Sequence, residues 1–452
     1  MKKILIIAAG ALIMPALLLL TALIPRTAIR EKSLDSAEYL CEGELFGDVM
    51  EGVDGSRIDR YADSILLNIA YHLDARYPLR SVALSAYYFT PDHEENENYL
   101  IGVRDDMEIN RQYLRYWHGS VALVRPLLTF LDVKGIYILN AILLVGLSGV
   151  FLMMCVRRRD YALVVAYLAA VILTRCWYVP LSLEYTWTFM LMLIGSITAM
   201  ILYGKGLGKY YGVFFALMGM ATSFLDFLTT ETITLLMPLL TLLWLGHYGS
   251  EGSTSGNLDA AKGAAARNVT GSKDGDFGNA PSRIRVFMCR RDLRMALACS
   301  ACWLLGYALM WASKWVLCSA VMRENAMPYV SEHVAERLSG DMGVGTAAFI
   351  TGAVTRNLSC LFPLGYGAVS VIGFIALIVF ALYRGFVYRR DGADVGFIVL
   401  MALIGLIPYV RFLVLHNHSY IHYFFTYRAQ AATVMAIVLI VAALCRGGEH
   451  AD

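Results

Sequence analysis

The sequence predicts an all-α polytopic membrane protein with about ten transmembrane helices and a large first extracytoplasmic loop that carries amphipathic helices. Three observations lead there. Only 16% of the 452 residues are charged and 58% are hydrophobic, with a mean hydropathy of +0.57, whereas soluble domains carry about 25% charged residues. Apolar runs of about 20 residues recur, each long enough to cross about 30 Å of hydrocarbon at 1.5 Å per residue. Lys and Arg are also concentrated in alternate connections between those runs.

The first run, Ile4 to Ile24, follows Met1-Lys-Lys. It is long for a cleaved signal and no A-x-A site follows, so a retained anchor with its start in the cytoplasm is expected over 1–24. Residues 25–135 are too charged to enter lipid and too rich in Tyr, Leu and Ile for a disordered linker. Within them, Ala62, Ile65, Leu66, Ile69 and Ala70 recur at helical spacing, which predicts an amphipathic helix against the membrane domain. Val121 to Leu131 is apolar but too short to span and contains Arg125-Pro126, so a helix lying at the membrane surface is expected.

The following spans are expected at Ile136–Cys155, Tyr161–Val179, Tyr185–Tyr203, Tyr211–Phe227 and Ile233–His247, which together make up 136–248. Residues 249–293, rich in Gly, Ser, Ala and Asn at their start, read as a flexible cytoplasmic linker. The remainder, 294–452, holds spans at Met295–Ser319, Gly365–Leu382, Val395–Val414 and Ala429–Cys445, with an outer loop at 320–363. This arrangement puts both termini in the cytoplasm. The segments expected inside hold Arg157-Arg-Arg159, Lys205, Lys209, Arg290, Arg291, Arg384 and Arg389-Arg390, and the turns near Leu181 and Thr230 hold neither Lys nor Arg. That asymmetry is the positive-inside signature of a multi-pass protein of the cell membrane.

Several functional classes are disfavoured. The nine cysteines are scattered, mostly within apolar runs. Cys299 and Cys302 form a C-x-x-C in a helix of Ala, Leu and Trp, where packing is the expected role. Lys205-Gly-Leu-Gly-Lys209 has no preceding strand and is not a phosphate-binding loop. Use of a nucleotide from the cytoplasm is therefore not expected, nor is a nucleic-acid partner.

The unusual polar groups gather on the expected outer face: Asp59 and Asp63, Arg115 and His118, Glu184, Asp226 and Glu231, Lys314, Arg356, and His416 through Arg428. Charges at membrane depth cost several kcal/mol and usually serve a pathway or a site. Asp59 and Asp63 lie one helical turn apart, as a solvated face or as a catalytic pair. Arg115-Tyr-Trp-His-Gly119 suits interfacial anchoring, or recognition of a phosphate by Arg115 and of a sugar by Tyr116 and Trp117. Asp226 suits capping or a site equally. Lys314 suits snorkelling or a phosphate. His418 and His422 have the i, i+4 spacing of a helical pair, with a structural role or hydrogen bonding to substrate expected rather than a metal.

On these residues the chain resembles the GT-C superfamily of polytopic glycosyltransferases. The resemblance is in layout: a first span with its start inside, a large outer loop holding Asp59 and Asp63, the Val121–Leu131 helix, and polar residues after later spans. The blocks Tyr61-Ala-Asp-Ser-Ile-Leu-Leu-Asn68, Arg115-Tyr-Trp-His-Gly119, Asp226-Phe-Leu-Thr229, Trp311-Ala-Ser-Lys-Trp315 and Asn417-His-Ser-Tyr-Ile-His-Tyr-Phe-Phe-Thr-Tyr-Arg428 are similar to bacterial membrane proteins of this layout. The resemblance implies transfer of a sugar from a polyprenyl-phosphate donor to an extracytoplasmic glycan or lipid acceptor. Asp63, with Asp59 beside it, would be the general base. Arg115, Lys314, Arg356 and Arg428 would stabilise the leaving phosphate, with His418 and His422 assisting, and Glu184 and Asp226 would line the substrate site. Neither a metal nor a cofactor is implied. The alternatives are a transporter or flippase for a lipid-linked glycan, which would want charges at mid-membrane and repeated halves, and a non-catalytic assembly subunit.

Overall fold

The apolar runs become helices because nothing else satisfies backbone N–H and C=O groups in an apolar surrounding. The computed structural model describes residues 2–249, 280–339, 345–361, 367–387 and 394–446. Among these residues all regular structure is helical, apart from the isolated β-bridges Asp48–Arg57 and Tyr87–Arg111. Helix α1 spans Lys2–Ala22. A cap of shorter helices follows: α2 (Arg26–Cys41), α3 (Arg60–His72), α4 (Pro78–Leu84), α5 (Glu95–Arg104) and α6 (Val121–Leu127). Next come α7 (Val133–Arg157), α8 (Tyr161–Leu173), α9 (Thr186–Gly204), α10 (Tyr211–Leu225) and α11 (Ile233–Tyr248). The last third holds α12 (Ala280–Met322), α13 (Met327–Ser339), α14 (Thr346–Ser359), α15 (Gly367–Val387), α16 (Val395–Val414), α17 (His416–Ile421), α18 (Tyr423–Thr426) and α19 (Ala431–Arg446).

Among the described residues, six helical stretches are long and apolar enough to cross a membrane: Lys2–Ala22, Val133–Arg157, Thr186–Gly204, Arg290–Met322, Val395–Val414 and Tyr423–Arg446. Tyr161–Leu173 and Ile233–Tyr248 are shorter apolar helices. Leu12, Val145, Val316 and Ile372 stand at least two-thirds exposed on their helices, a surface suited to lipid and not to water. Every residue of α11 from Ile233 to Leu245 is buried, so α11 forms the centre of the bundle. Helices α10 and α12 touch backbone to backbone. A Cβ on Gly219 would lie 2.0 Å from the Trp303 carbonyl oxygen, and one on Gly306 would lie 2.0 Å from that of Ala216. Small residues permit this approach, and dispersion then holds the pair together.

Four expectations change. Helix α3 is not half-solvated: Asp63 through His72 are all buried, enclosed by α2, α5 and α6. The helix expected on the membrane surface, α6, turns Val121, Val124 and Arg125 into the protein and leaves Leu123 exposed, as is Phe130 just after it. Of the expected linker, 250–279 lie outside the described residues, while 280–293 are helical. Pro281 sits in the first turn of α12, where a missing N–H costs nothing, and no further Pro or Gly interrupts the chain until Gly306. The expected outer loop 320–363 is likewise built around the helices α13 and α14.

A candidate site where cavities meet at Arg115

The polar groups named from the sequence divide into those that line a common hollow and those that hold the cap together. A cavity of about 210 Å³ is lined by Asp59, Tyr61, Tyr113, Arg115, Tyr116, His118, Glu184, His418 and His422, with Phe227 and Phe425 among its apolar walls. Its residues come from the start of α3, the segment before α6, the turn before α9, and α17 with the residue after it.

Asp59 is the N-cap of α3, and its Oδ1 accepts the Ala62 N–H at 2.9 Å. The Glu184 carboxyl hydrogen-bonds to Asp59 across the cavity. Burial pushes the Asp59 carboxyl up to about 6, against the lowering pull of the Ala62 amide and of Glu184. Two carboxyls in one hollow share a proton more readily than they both ionise. The loop before Asp59 is clamped from several directions. Gly55 O accepts from Arg428 Nη2 at 3.0 Å and from Tyr427 Oη at 3.2 Å, and Arg57 pairs with Asp48 at 2.9 Å.

Asp63 does not line this cavity. Fully buried behind Asp59, it accepts from Tyr137 Oη at 2.5 Å, from the Leu183 N–H at 2.8 Å and from Ser182 Oγ at 3.5 Å. Burial raises its carboxyl to about 8; the Asp59 charge adds to this rise, and the Tyr137, Leu183 and Ser182 hydrogen bonds oppose it. A folded value raised from about 3.9 means that the folded state binds the extra proton between pH 4 and 8. The stability linked to it is complete below pH 4 and falls by about 1.4 kcal/mol per pH unit until about pH 8. Thermal unfolding of the full chain in detergent should therefore weaken from pH 5 to pH 8, and Asp63→Asn should flatten that slope. Equal slopes in wild type and variant would show that Asp63 ionises normally.

The Arg115–Gly119 block splits between two sides. Arg115, Tyr116 and His118 face the cavity. Trp117 points away: its Nε1 donates to Met310 O at 2.8 Å, and Lys314 Nζ lies 5.4 Å from its ring. His118 itself adopts a left-handed φ of 52°. Gly119 is a close contact and not a hinge, since a Cβ there would lie 2.3 Å from the Phe224 ring. Burial, with Lys314 and Arg115 nearby, holds the His118 imidazole well below its ordinary value, so it is neutral at pH 7. Arg115 forms no ion pair among the described residues. Its Nη2 donates to Tyr113 Oη at 3.0 Å, its Nε has no partner, and its guanidinium lies 5.0 Å from the Tyr113 ring and 5.6 Å from that of Tyr116.

Other expected ligands are occupied elsewhere. Lys314 is fully buried and donates to Val82 O at 2.8 Å and Ser85 Oγ at 3.0 Å, joining α12 to α4. Arg356 donates to Tyr420 O at 2.9 Å and lies between the Tyr420 and Tyr423 rings. Arg428 is fully buried behind Tyr185, 5.2 Å from that ring. Asp226 is saturated by Thr188 Oγ1 at 2.9 Å and by the N–H and hydroxyl of Thr229, as a turn cap. The His418 and His422 rings lie 4.7 Å apart, while His416 packs on Phe349, so the three imidazoles do not converge.

A second hollow, of about 420 Å³, opens between α12, α13 and α16. Its walls include Trp303, Leu304, Tyr307, Trp311, Val410 and Val414, and Arg115 and Tyr116 close one end. Leu304, Val410 and Val414 are each more than half exposed, so the groove faces the surroundings of the bundle. Trp311 Nε1 fixes the Arg115 carbonyl at 2.9 Å, and Tyr116 stacks on Trp311 at 6.4 Å. The groove also reaches an ion pair, Arg411 with Glu231, at 2.8 Å. Arg411 further donates to Ser419 Oγ at 3.0 Å and to Leu228 O. The role of Arg411 was readable in principle, as the single charge in the apolar run Val395–Val414.

Comparison with family models, with curated proteins and with solved structures finds no match to this chain.

Proposed function

We propose that this chain is an integral membrane glycosyltransferase of the GT-C type. It moves a sugar from a polyprenyl-phosphate donor to a glycan or lipid acceptor on the extracytoplasmic face of the cell membrane, with both termini in the cytoplasm. The observation that carries this reading is the junction at Arg115 and Tyr116, which wall both an apolar groove open to the side of the bundle and a cavity holding Asp59 and Glu184. A substrate with a long apolar tail, a charged middle and a polar sugar matches that sequence of surroundings.

In this reading the prenyl chain lies along Trp303, Leu304, Tyr307 and Val410, and the phosphate meets Arg115, a cation without a carboxylate partner among the described residues. Asp59, poised near 6, takes the proton from the acceptor hydroxyl as that oxygen bonds to the anomeric carbon. The bond from that carbon to the phosphate oxygen breaks, and the polyprenyl phosphate leaves with its charge held by Arg115. The neutral His118, with His418 and His422, supplies hydrogen bonds to sugar hydroxyls. Asp63 becomes a support behind Asp59, and the general base moves one helical turn toward the cavity.

Removing a charge-assisted hydrogen bond costs about 1.5–3 kcal/mol, so Arg115→Ala should weaken binding of a polyprenyl phosphate to the full chain in nanodiscs by about ten- to a hundredfold. Native mass spectrometry or a filter assay with labelled lipid reads this. Unchanged affinity would remove Arg115, and the junction with it, from the donor site.

A further inference from the structure

Two more cavities lie along the segment that runs from Ile109 to Arg115. One, of about 470 Å³, is walled by Tyr61, Tyr87, Tyr113 and Tyr329 with Arg111 and Arg115. The next, of about 310 Å³, shares Asn110, Arg111 and Gln112 with it and adds Arg80. At its other end the larger cavity shares Tyr61, Tyr113 and Arg115 with the hollow that holds Asp59. The three therefore adjoin one another, a track of neighbouring hollows from the exposed surface of the cap to the carboxylates. The β-bridge between Tyr87 and Arg111, with N–H···O distances of 2.9 and 3.1 Å, fixes two of its lining residues against each other.

The lining has a definite chemistry. Arg80, Arg111 and Arg115 lie along the track, and none forms an ion pair with a carboxylate among the described residues. Arg111 rests on the Phe89 ring at 4.0 Å, a contact that positions the guanidinium without neutralising it. In the two outer cavities the one carboxylate on the wall, Asp74, is paired with Arg76 at 3.0 Å. Tyrosines offer an apolar face with a hydrogen-bonding edge, which suits a pyranose ring. Unpaired guanidinium forks suit carboxylates.

We propose that this track binds an acidic oligosaccharide, a chain of carboxylate-bearing sugars, with its terminal hydroxyl delivered to Asp59. The assignment of that chain as acceptor rests on the transferase reading; the binding itself does not. A single-stranded nucleic acid would also use aromatic faces and arginines, and the oligothymidylate in the test below separates it from an acidic sugar chain.

The test is calorimetric titration of the full chain in neutral-lipid nanodiscs with an oligogalacturonate hexamer, beside maltohexaose and an oligothymidylate of similar length. The hexamer should bind saturably. Loss of a guanidinium–carboxylate contact in Arg111→Ala, or of a ring face in Tyr329→Ala, should each weaken it about tenfold, and maltohexaose should bind at least about tenfold more weakly. Arg111 is exposed and Tyr329 half-buried, and Arg80→Ala, on a separate helix, provides an independent loss if either variant folds poorly. No saturable binding, binding indifferent to all three substitutions, or equal affinity for the oligothymidylate would overturn the proposal. Because the readout is binding, the two readings fail separately. An intact track in a chain without transfer activity removes the enzyme alone, while absent binding beside an Asp59-dependent glycan change removes the track alone.

Discussion

Asp59→Asn should abolish modification of the surface glycan in cells while leaving the amount of protein in the membrane unchanged. The substitution keeps the acceptor oxygen that caps α3, where Ala62 N–H now donates at 2.9 Å, so the helix start is preserved. What it removes is the capacity to take a proton. General-base catalysis contributes about 10²–10⁴-fold, and loss of that order separates Asp59 from a structural carboxylate. Asp63→Asn is the matched comparison. Its carboxyl is held by Tyr137, Leu183 and Ser182 and does not reach the cavity, so its effect should fall on the pH dependence of stability. Wild-type glycan in the Asp59→Asn strain would leave the transferase reading without its base. Glycan lost with Asp63→Asn and retained with Asp59→Asn would return the role to the deeper carboxyl.

Arg125→Ala should be the most destabilising single change in the cap. The side chain is fully buried and its two Nη atoms reach four carbonyls: Ala70 and Tyr71 from Nη1, and Ile24 at 2.5 Å and Leu73 at 3.0 Å from Nη2. Burial draws the guanidinium down to about 10, which leaves it charged at pH 7. These carbonyls end α3 and the turn after α1, so one cation joins the first helix to the cap. Each buried acceptor left without a donor costs about 1–3 kcal/mol. A net loss of about 3–5 kcal/mol is expected, of the size found when a buried hydrogen-bond network is broken. Arg125→Lys should recover only part of it, because a single ammonium cannot span carbonyls from two segments as a planar fork does. Thermal unfolding of the full chain in detergent measures this. A change under about 1 kcal/mol would show that water replaces the guanidinium at little cost. Since α3 carries Asp59 at its other end, loosening its last turn should also lower activity in the surviving protein.

Much of the site was legible in the chain. Asp59, Arg115, Tyr116, His118, Glu184, His418 and His422 were singled out as polar groups in apolar settings, and all of them line one cavity. The same signal also marked Trp117, Asp226, Lys314, Arg356 and Arg428, which are engaged in hydrogen bonds and ring contacts that hold the scaffold. Polarity in an apolar run identifies a group that is costly to bury. It does not say whether a ligand or a distant carbonyl relieves that cost. Lys314 illustrates this: its partners Val82 and Ser85 lie more than 220 residues away.

By itself the sequence determined the long apolar helices. Those depend on local periodicity and on the need of each backbone group for a partner, and Val395–Val414 appears in the structure with the bounds read from its residues. Only the tertiary structure decided which way each polar side chain points. That choice is made by contacts between segments far apart in the chain: the hydrogen bond to Met310 that holds Trp117 away from its neighbours, the packing that encloses α3, and the meeting of α12 with α16 that shapes the groove. Side-chain direction is a property of the packed bundle, and no spacing within one segment encodes it.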